Sequence, residues 1–367
     1  MSIGDEAKSK PPLVEKNNNG LWECGEYVQY FYNTTDLVSI LVIDEKTNSV
    51  LLHGNLRRGE VTWIGATPPI LVSSLRTNSD DEDLICYALA QEGFTAKTYI
   101  YNWKKNGKSI FEVLLPFDTQ SESSTRDYSG NGYNGIVEGA TWISSGKLGG
   151  AYRFDGIDDK ISVPLPDIFK DLNNNFTISL WIKSKDIQSN STKKKTILEI
   201  YIDENNSLQI FQYNSSFQFG FKINGNKKQA LKTSKVQENE WYFLTVVWTY
   251  DNPLVYLDGV LDMTPGEREY PEGNESGISI GQLSNGNNSF NGEVDEFYIY
   301  NYARSSQQVY QDYLDMKDGL SDHRTLVASE TSLGDAWSCT ITPNNSVTDG
   351  DPIDSEVLII EAYGGGK

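Results

Sequence analysis

The stretch Phe176-Thr-Ile-Ser-Leu-Trp-Ile-Lys183 decides the fold. Apolar residues recur at every second position, the period of a strand that buries one face. Val294-Asp-Glu-Phe-Tyr-Ile299 has the same character. Outward from these, short apolar runs are punctuated by Gly and Asn, with Tyr (21), Phe (14) and Trp (8) abundant and Met (3) scarce, so the expected class is all-β. Ser305 to Met316 alone reads as a helix, short and packed on the edge of a sandwich.

The 367 residues leave room for two or three domains with cores of their own. Lys and Arg total 31 against 51 Asp and Glu, a net charge of -20. Such a surface repels phosphate backbones and anionic membranes, which argues against nucleic acid as a partner. No apolar run reaches the roughly 20 residues of a membrane span. The start, Met1-Ser-Ile-Gly-Asp-Glu-Ala-Lys8, is too hydrophilic for a signal peptide, so the chain is either intracellular or the trimmed form of a secreted one. Secretion is the expectation, an extracellular or cell-surface location supported by N-x-S/T sequons such as those at Asn175 and Asn214.

An ordered series of segments runs from Asp127 to Tyr300. Asp127-Tyr-Ser-Gly-Asn-Gly-Tyr-Asn134 and Gly149-Gly-Ala-Tyr-Arg-Phe-Asp-Gly-Ile-Asp-Asp159 come first. Phe176 to Lys183, Glu240-Trp-Tyr-Phe-Leu-Thr-Val-Val-Trp248, Val255-Tyr-Leu-Asp-Gly259 and Gly292-Glu-Val-Asp-Glu-Phe-Tyr-Ile-Tyr300 follow. In that order the series resembles the laminin G-like branch of the concanavalin A-like lectin/glucanase superfamily. The resemblance implies a jelly-roll sandwich over 119–322 in which Trp181, Trp241 and Trp248 are structural.

Three cysteines frame this tract. Cys86 sits in Asp83-Leu-Ile-Cys-Tyr-Ala88, Trp103 follows on the next strand-like run, and Cys339 lies in Asp335-Ala-Trp-Ser-Cys-Thr-Ile341. Cysteine, tryptophan, then an aromatic two before a second cysteine resembles the immunoglobulin sandwich. Trp337 stands where that family has a tyrosine. The cysteine separation is too long for the family unless the laminin G-like tract is an insertion, with 68–118 and 323–362 forming one split domain. The resemblance then implies a Cys86–Cys339 disulfide behind Trp103, against the alternative of two buried thiols. Trp22-Glu-Cys24 leads to Ser39-Ile-Leu-Val-Ile43 with similar spacing, which reads residues 1–67 as a partial immunoglobulin-like segment. A piece of a longer array, a half-domain completed by another copy of the chain, and coincidence all remain open; in a half-domain Cys24 is a free or intermolecular thiol.

For chemistry, a glycan-cleaving site needs two carboxylates roughly 5–9.5 Å apart on one face. Asp295 and Glu296 point to opposite faces of a regular strand, and Glu199 shares a face with Asp203 only if that strand is regular throughout. His53 and His323 lie far apart and outside the inserted tract, so no catalytic residue is assigned. Calcium fits better, since hard cations take oxygen ligands on Gly/Asn-rich loops. Asp127 and Asn131 sit in one such loop, Asp155 and Asp158 in another, and Asp295 opens the closing strand. Laminin G-like relatives tie first and last strands with calcium, which implies Asp127, Asn131 and Asp295 as ligands; the plain alternative is acids that shape turns. Tyr201, Tyr213 and Phe217 are the aromatic candidates for a sugar platform, although one face of that hairpin is equally readable as core. These readings converge on a non-catalytic extracellular adhesion module for a glycan or surface protein, stabilised by Ca2+. A subunit of a surface array or filament is the alternative, and a carbohydrate-active enzyme comes third.

Overall fold

The computed structural model describes residues 69–75, 77–88, 94–187, 193–249, 252–319 and 324–362, together with the backbone of four strands nearer the amino terminus. Those strands, Val28–Tyr32, Val38–Ile43, Val50–Arg57 and Glu60–Ile64, pair in sequence order as an antiparallel meander. Cys24, Trp22 and His323 lie outside the described residues.

The chain is nearly all-β, and its largest body is a jelly-roll-like sandwich of a ten-stranded and an eight-stranded sheet. Phe176–Ser184 lies in the eight-stranded sheet between Asn291–Tyr300 and Trp241–Trp248, antiparallel to both. Its alternation then acts as expected: Ile178, Leu180 and Ile182 enter the core with Leu244, Val246 and Trp248. Leu208, Ile210, Phe217, Phe219 and Phe221 meet them from the opposite sheet. Trp248 stacks on Phe176 at 5.6 Å and meets Phe221 edge-on at 5.2 Å. Phe111–Leu115 also pairs with Asn291–Tyr300. The sandwich's sheet therefore reaches upstream of residue 119, into the stretch the sequence reading grouped with the other domain.

The register of Asn291–Tyr300 shifts between the partners Ser179 and Trp181, and Glu296 takes φ 52°. A bulge of this kind inserts an extra residue and re-aims its neighbours. The expectation of Asp295 and Glu296 on opposite faces presumed a regular strand; both are fully buried.

The outer face of the eight-stranded sheet is not left to water. Phe111, Trp181, Phe243, Tyr298 and Tyr300 are at most 1 % exposed and join a second core with Leu84, Cys86, Trp103, Trp337 and Cys339. This core is made by two small sheets. One contains Ile70–Ser73, Leu84–Tyr87 and Thr325–Leu326; the other contains Thr98–Lys105, Lys108–Ser109, Ala336–Asn344, Ile353–Asp354 and Leu358–Ile359. Stretches before and after the sandwich thus share both sheets. Cys86 and Cys339 are disulfide-bonded across them, 253 positions apart with Cα atoms 6.6 Å from each other. Trp103 is the register partner of Cys339 and meets Trp337 edge-on at 6.3 Å.

Polar contacts close the seam between the bodies. Asp349 accepts from Arg126 Nη1 at 2.6 Å, Tyr128 Oη at 2.8 Å and Asn344 Nδ2 at 2.8 Å. The helix spans Ser306–Met316, capped by Ser305, whose Oγ accepts from the Gln308 amide. Asp312 on this helix receives two bonds from Arg304, at 2.9 and 2.6 Å, with both side chains almost wholly buried.

Candidate functional site

The ten-stranded sheet has one apolar and one polar face because its central strands alternate. Phe217, Phe219 and Phe221 point into the core, leaving Ser216, Gln218, Gly220 and Lys222 on the other side. Cross-strand pairing aligns Ser279, Glu199, Gln209 and Gly220 in one row and Tyr201, Ser207 and Lys222 in another. Water does not reach most of this polar face, since Glu199, Ser207, Gln209, Gln218 and Ser279 are all below 5 % exposed.

The cover is the irregular segment 266–275, Gly-Glu-Arg-Glu-Tyr-Pro-Glu-Gly-Asn-Glu, which crosses the face as a strap. Tyr270 lies over Gly220 and against Phe211, ring centroids 6.2 Å apart; a Cβ on Gly220 would come within 2.7 Å of the Tyr270 ring. Glu272 accepts from Ser207 Oγ at 3.0 Å and Lys222 Nζ at 3.2 Å. The Glu267 amide donates to Gln218 Oε1 at 2.9 Å, and Lys227 Nζ donates to the Tyr270 carbonyl at 2.9 Å.

Beside the strap opens a groove of about 740 Å³. Pro271, half-buried, forms an apolar wall backed by the buried Tyr270; Lys194, Glu269, Asn288 and Asn291 supply polar groups, and Asp155 and Asp186 also line it. Lys195 is paired with Asp186, and Lys194 sits 5.7 Å from the centroid of the Tyr213 ring. Polar donors and acceptors around one apolar wall can orient a hydroxyl-rich or peptide ligand. The groove depends on residues the sequence reading did not single out, because the strap carries neither strand nor helix periodicity. Its legible signal was an aromatic and a proline, Tyr270-Pro271, amid acids and glycines.

The expected ligand aromatics divide. Tyr213 is half-buried and packs with Phe211, Ala230 and Tyr270 next to the groove. Tyr201 is half-buried on the polar face, two strands from Lys222. Phe217 is fully buried in the main core and offers no surface to a ligand, because its parity along the strand is that of Phe219 and Phe221. Of the three tryptophans expected in the interior, Trp181 and Trp248 are buried, whereas Trp241 is half-buried with Lys183 Nζ 5.4 Å from its ring centroid.

The expected metal ligands also divide. Asp127 is a turn organiser: Oδ1 accepts from the Leu114 and Ser129 amides at 3.0 and 2.9 Å, and Oδ2 from Ser129 Oγ and the Tyr133 amide at 2.7 and 2.9 Å. Asn131 uses its amide nitrogen to donate to the Phe111 and Glu112 carbonyls. Asp295 accepts from the amides of Lys147, Leu148 and Glu296. Burial, and then the charge of Asp118, push its carboxyl well above the ordinary range. Asp127 and Asp295 have different hydrogen-bond partners, and the cluster of acids found among the described residues includes neither. Asp155 and Asp158 do come together, with Asp159, their carboxylate oxygens within 4.8 Å of one another. Asp155 and Asp158 are exposed and Asp159 is buried, its carboxyl raised first by burial. Three hard oxygens on one turn suit a divalent cation, and the Asp155 end of the turn borders the groove.

Glu199 is the buried acid closest to a catalytic reading. Burial raises its carboxyl, opposed by the amides of Ser284 and Gly273 that donate to it. Asp203 is exposed and spent on the turn, accepting from the Asn205 amide and Asn206 Nδ2, beyond a register shift that breaks the strand's parity. The two do not form the facing pair that glycan hydrolysis requires.

Against known proteins, residues 155–310 match the family described as the concanavalin A-like lectin/glucanases superfamily. Among solved structures, the receptor binding domain of botulinum neurotoxin C/D mosaic serotype is similar at 19% identity and TM-score 0.44, over 56% of this chain and 51% of that one. The botulinum neurotoxin serotype D binding domain is similar at 19% and 0.43, over 55% and 51%. The binding domain of Paraclostridial Mosquitocidal Protein 1 follows at 20% and 0.43, over 56% and 51%. The chain spans about half the length of these solved chains. No curated protein matches.

Proposed function

We propose that this chain is a non-catalytic recognition module of the cell exterior that holds a glycan or a surface protein in the groove beside the strap. The observation that carries the reading is the groove itself. It is about 740 Å³, walled by Pro271 with the buried Tyr270 behind it and ringed by amide, ammonium and carboxylate groups, on a sandwich whose residues 155–310 match a lectin-containing superfamily. The Cys86–Cys339 bond supports an oxidising location. Two small sheets joined by that bond, with Trp103 beside it, support reading 70–109 and 324–360 as a split immunoglobulin-like domain that carries the sandwich. Calcium at Asp155, Asp158 and Asp159 would stiffen the turn at the groove's margin.

A glycan and surface-protein array probed with the full chain tests this. Saturable binding is expected, and Glu269→Trp, which sets a bulky ring on an exposed position of the groove, should abolish it. Binding indifferent to that plug would place recognition elsewhere, and no binding to any glycan or protein would remove the reading.

A further inference from the structure

The strap shows what the polar face of the ten-stranded sheet is built to hold. We infer that this face is a peptide-recognition groove occupied in cis, and that its exchangeable partner is an extended acidic segment with an aromatic residue two positions before a carboxylate. The inference goes beyond the recognition reading above and concerns a second place, the face beneath the strap rather than the groove beside it. Each contact of the strap is of a kind that a separate peptide can reproduce. Backbone amides meet fixed side-chain acceptors: Glu267 N–H on Gln218 and Gly273 N–H on Glu199. One ring fills the space that Gly220 leaves open, against Phe211. One carboxylate lies between Ser207 Oγ and Lys222 Nζ, with Lys227 Nζ 3.7 Å away.

Charge agrees with this. The ten strap residues hold four acids, Glu267, Glu269, Glu272 and Glu275, against Arg268 alone, and Glu272 meets Lys222 and Lys227 on a chain that is otherwise strongly acidic. The cis occupant also fits imperfectly. Gln209 is 2 % exposed, its Nε2 donates to Thr196 Oγ1, and its Oε1 has no donor, although it sits in the row between Glu199 and Gly220. A buried acceptor left unmade is costly, and a segment supplying a donor there binds better than the strap does. Tethering gives the strap an effective concentration in the millimolar range, so a trans peptide competes well only once the strap is lifted.

The test uses the full chain with 266–275 replaced by a Gly/Ser linker of equal length, and a synthetic peptide of sequence 265–275 as probe, followed by calorimetry. Saturable one-to-one binding is expected, at least tenfold weaker to the unmodified chain. Binding should also be at least tenfold weaker when the linker chain carries Gly220→Ala, which closes the ring's seat. Absent binding by a folded linker chain, or equal binding to all three proteins, overturns the inference. Should the linker chain not fold, hydrogen exchange on the unmodified protein decides. The Glu267 and Gly273 amides should exchange at least a hundredfold faster than those of the Asn206–Tyr213 strand, and equal rates overturn the inference. Glycan capture with a strap that never opens sinks this proposal and leaves the recognition reading standing; peptide capture without any array partner does the reverse.

Discussion

Replacing Cys86 and Cys339 together by Ala asks how the two bodies unfold. In the chain-entropy account a crosslink stabilises by restricting the unfolded ensemble, and closing a loop of 253 residues is worth about 5.5 kcal/mol. That figure holds only if the enclosed sandwich is unfolded too. If it stays folded, the Asn301 amide remains 3.0 Å from the Ile110 carbonyl and short-circuits the loop. The effective loop is then roughly 60 residues and the bond contributes about 4.3 kcal/mol. Urea unfolding followed by tryptophan fluorescence separates these cases, since Trp103 and Trp337 report on the split sheets and Trp248 on the main core. The expected result is a loss of about 4 kcal/mol confined to the transition of the split sheets, with the main-core transition little moved. A loss under about 1 kcal/mol, or an equal shift of both transitions, would refute the argument that the bond closes sheets drawn from two distant stretches.

Three further outcomes are expected. Burial opposes the charge on Glu293, but Lys185, Arg153 and Lys183 outweigh it and hold the carboxyl below its usual range. Its contribution is therefore present above the ordinary glutamate value near pH 4.3 and lost as pH falls through the lowered one. Glu293→Gln should lower the melting temperature at pH 7 and flatten the acid limb of the stability curve. Asp312→Ala leaves the Arg304 guanidinium buried and unpaired and should cost about 3–5 kcal/mol by denaturant unfolding, with Arg304→Met/Asp312→Leu recovering most of it. Millimolar calcium should raise the melting temperature by several degrees relative to chelator, and Asp158→Asn should erase the difference; identical melts of the parent with and without calcium would leave these acids as turn formers.

What the residues disclosed in advance followed one physical rule, and so did what they concealed. Period-two runs such as Phe176–Ser184 were legible because one face carries Phe176, Ile178, Leu180 and Ile182 while the other mixes Thr177, Ser179 and Trp181, although both faces are buried. The helix was legible within one residue of its observed start, expected over Ser305 to Met316 and found over Ser306–Met316. The strand that carries Asp295 and Glu296 is bulged, which strict alternation does not anticipate, and both acids are buried because the strand is covered on both faces. Loop acids were ambiguous in principle: Asp127 as a ligand and Asp127 as acceptor for four hydrogen bonds look alike in sequence, and only the placement of Leu114 and Tyr133 separates them. The strap was invisible because its contacts are long-range and carry no period, and Trp241 is only half-buried because it packs at the margin of the second core.

The shared aromatic core bears on how the sandwich can be studied. Phe111, Trp181, Phe243, Tyr298 and Tyr300 lie on one outer face and are dry only because the split sheets and Met316 cover them. Large aromatic side chains bury about 150–250 Å² each, so uncovering even half of the four that lie within 119–322 would expose on the order of 300–500 Å² of contiguous apolar area. That is at the upper limit of what soluble monomers tolerate. A fragment spanning 119–322 keeps Met316 but lacks the split sheets and the Phe111–Leu115 strand, which leaves one edge of Asn291–Tyr300 unpaired along Phe297 to Tyr300. Such a fragment is expected to be dimeric or aggregated by light scattering at micromolar concentration, whereas the chain with both flanks is not. A monomeric 119–322 fragment would show that the uncovered face is no liability and that the second core is an incidental contact.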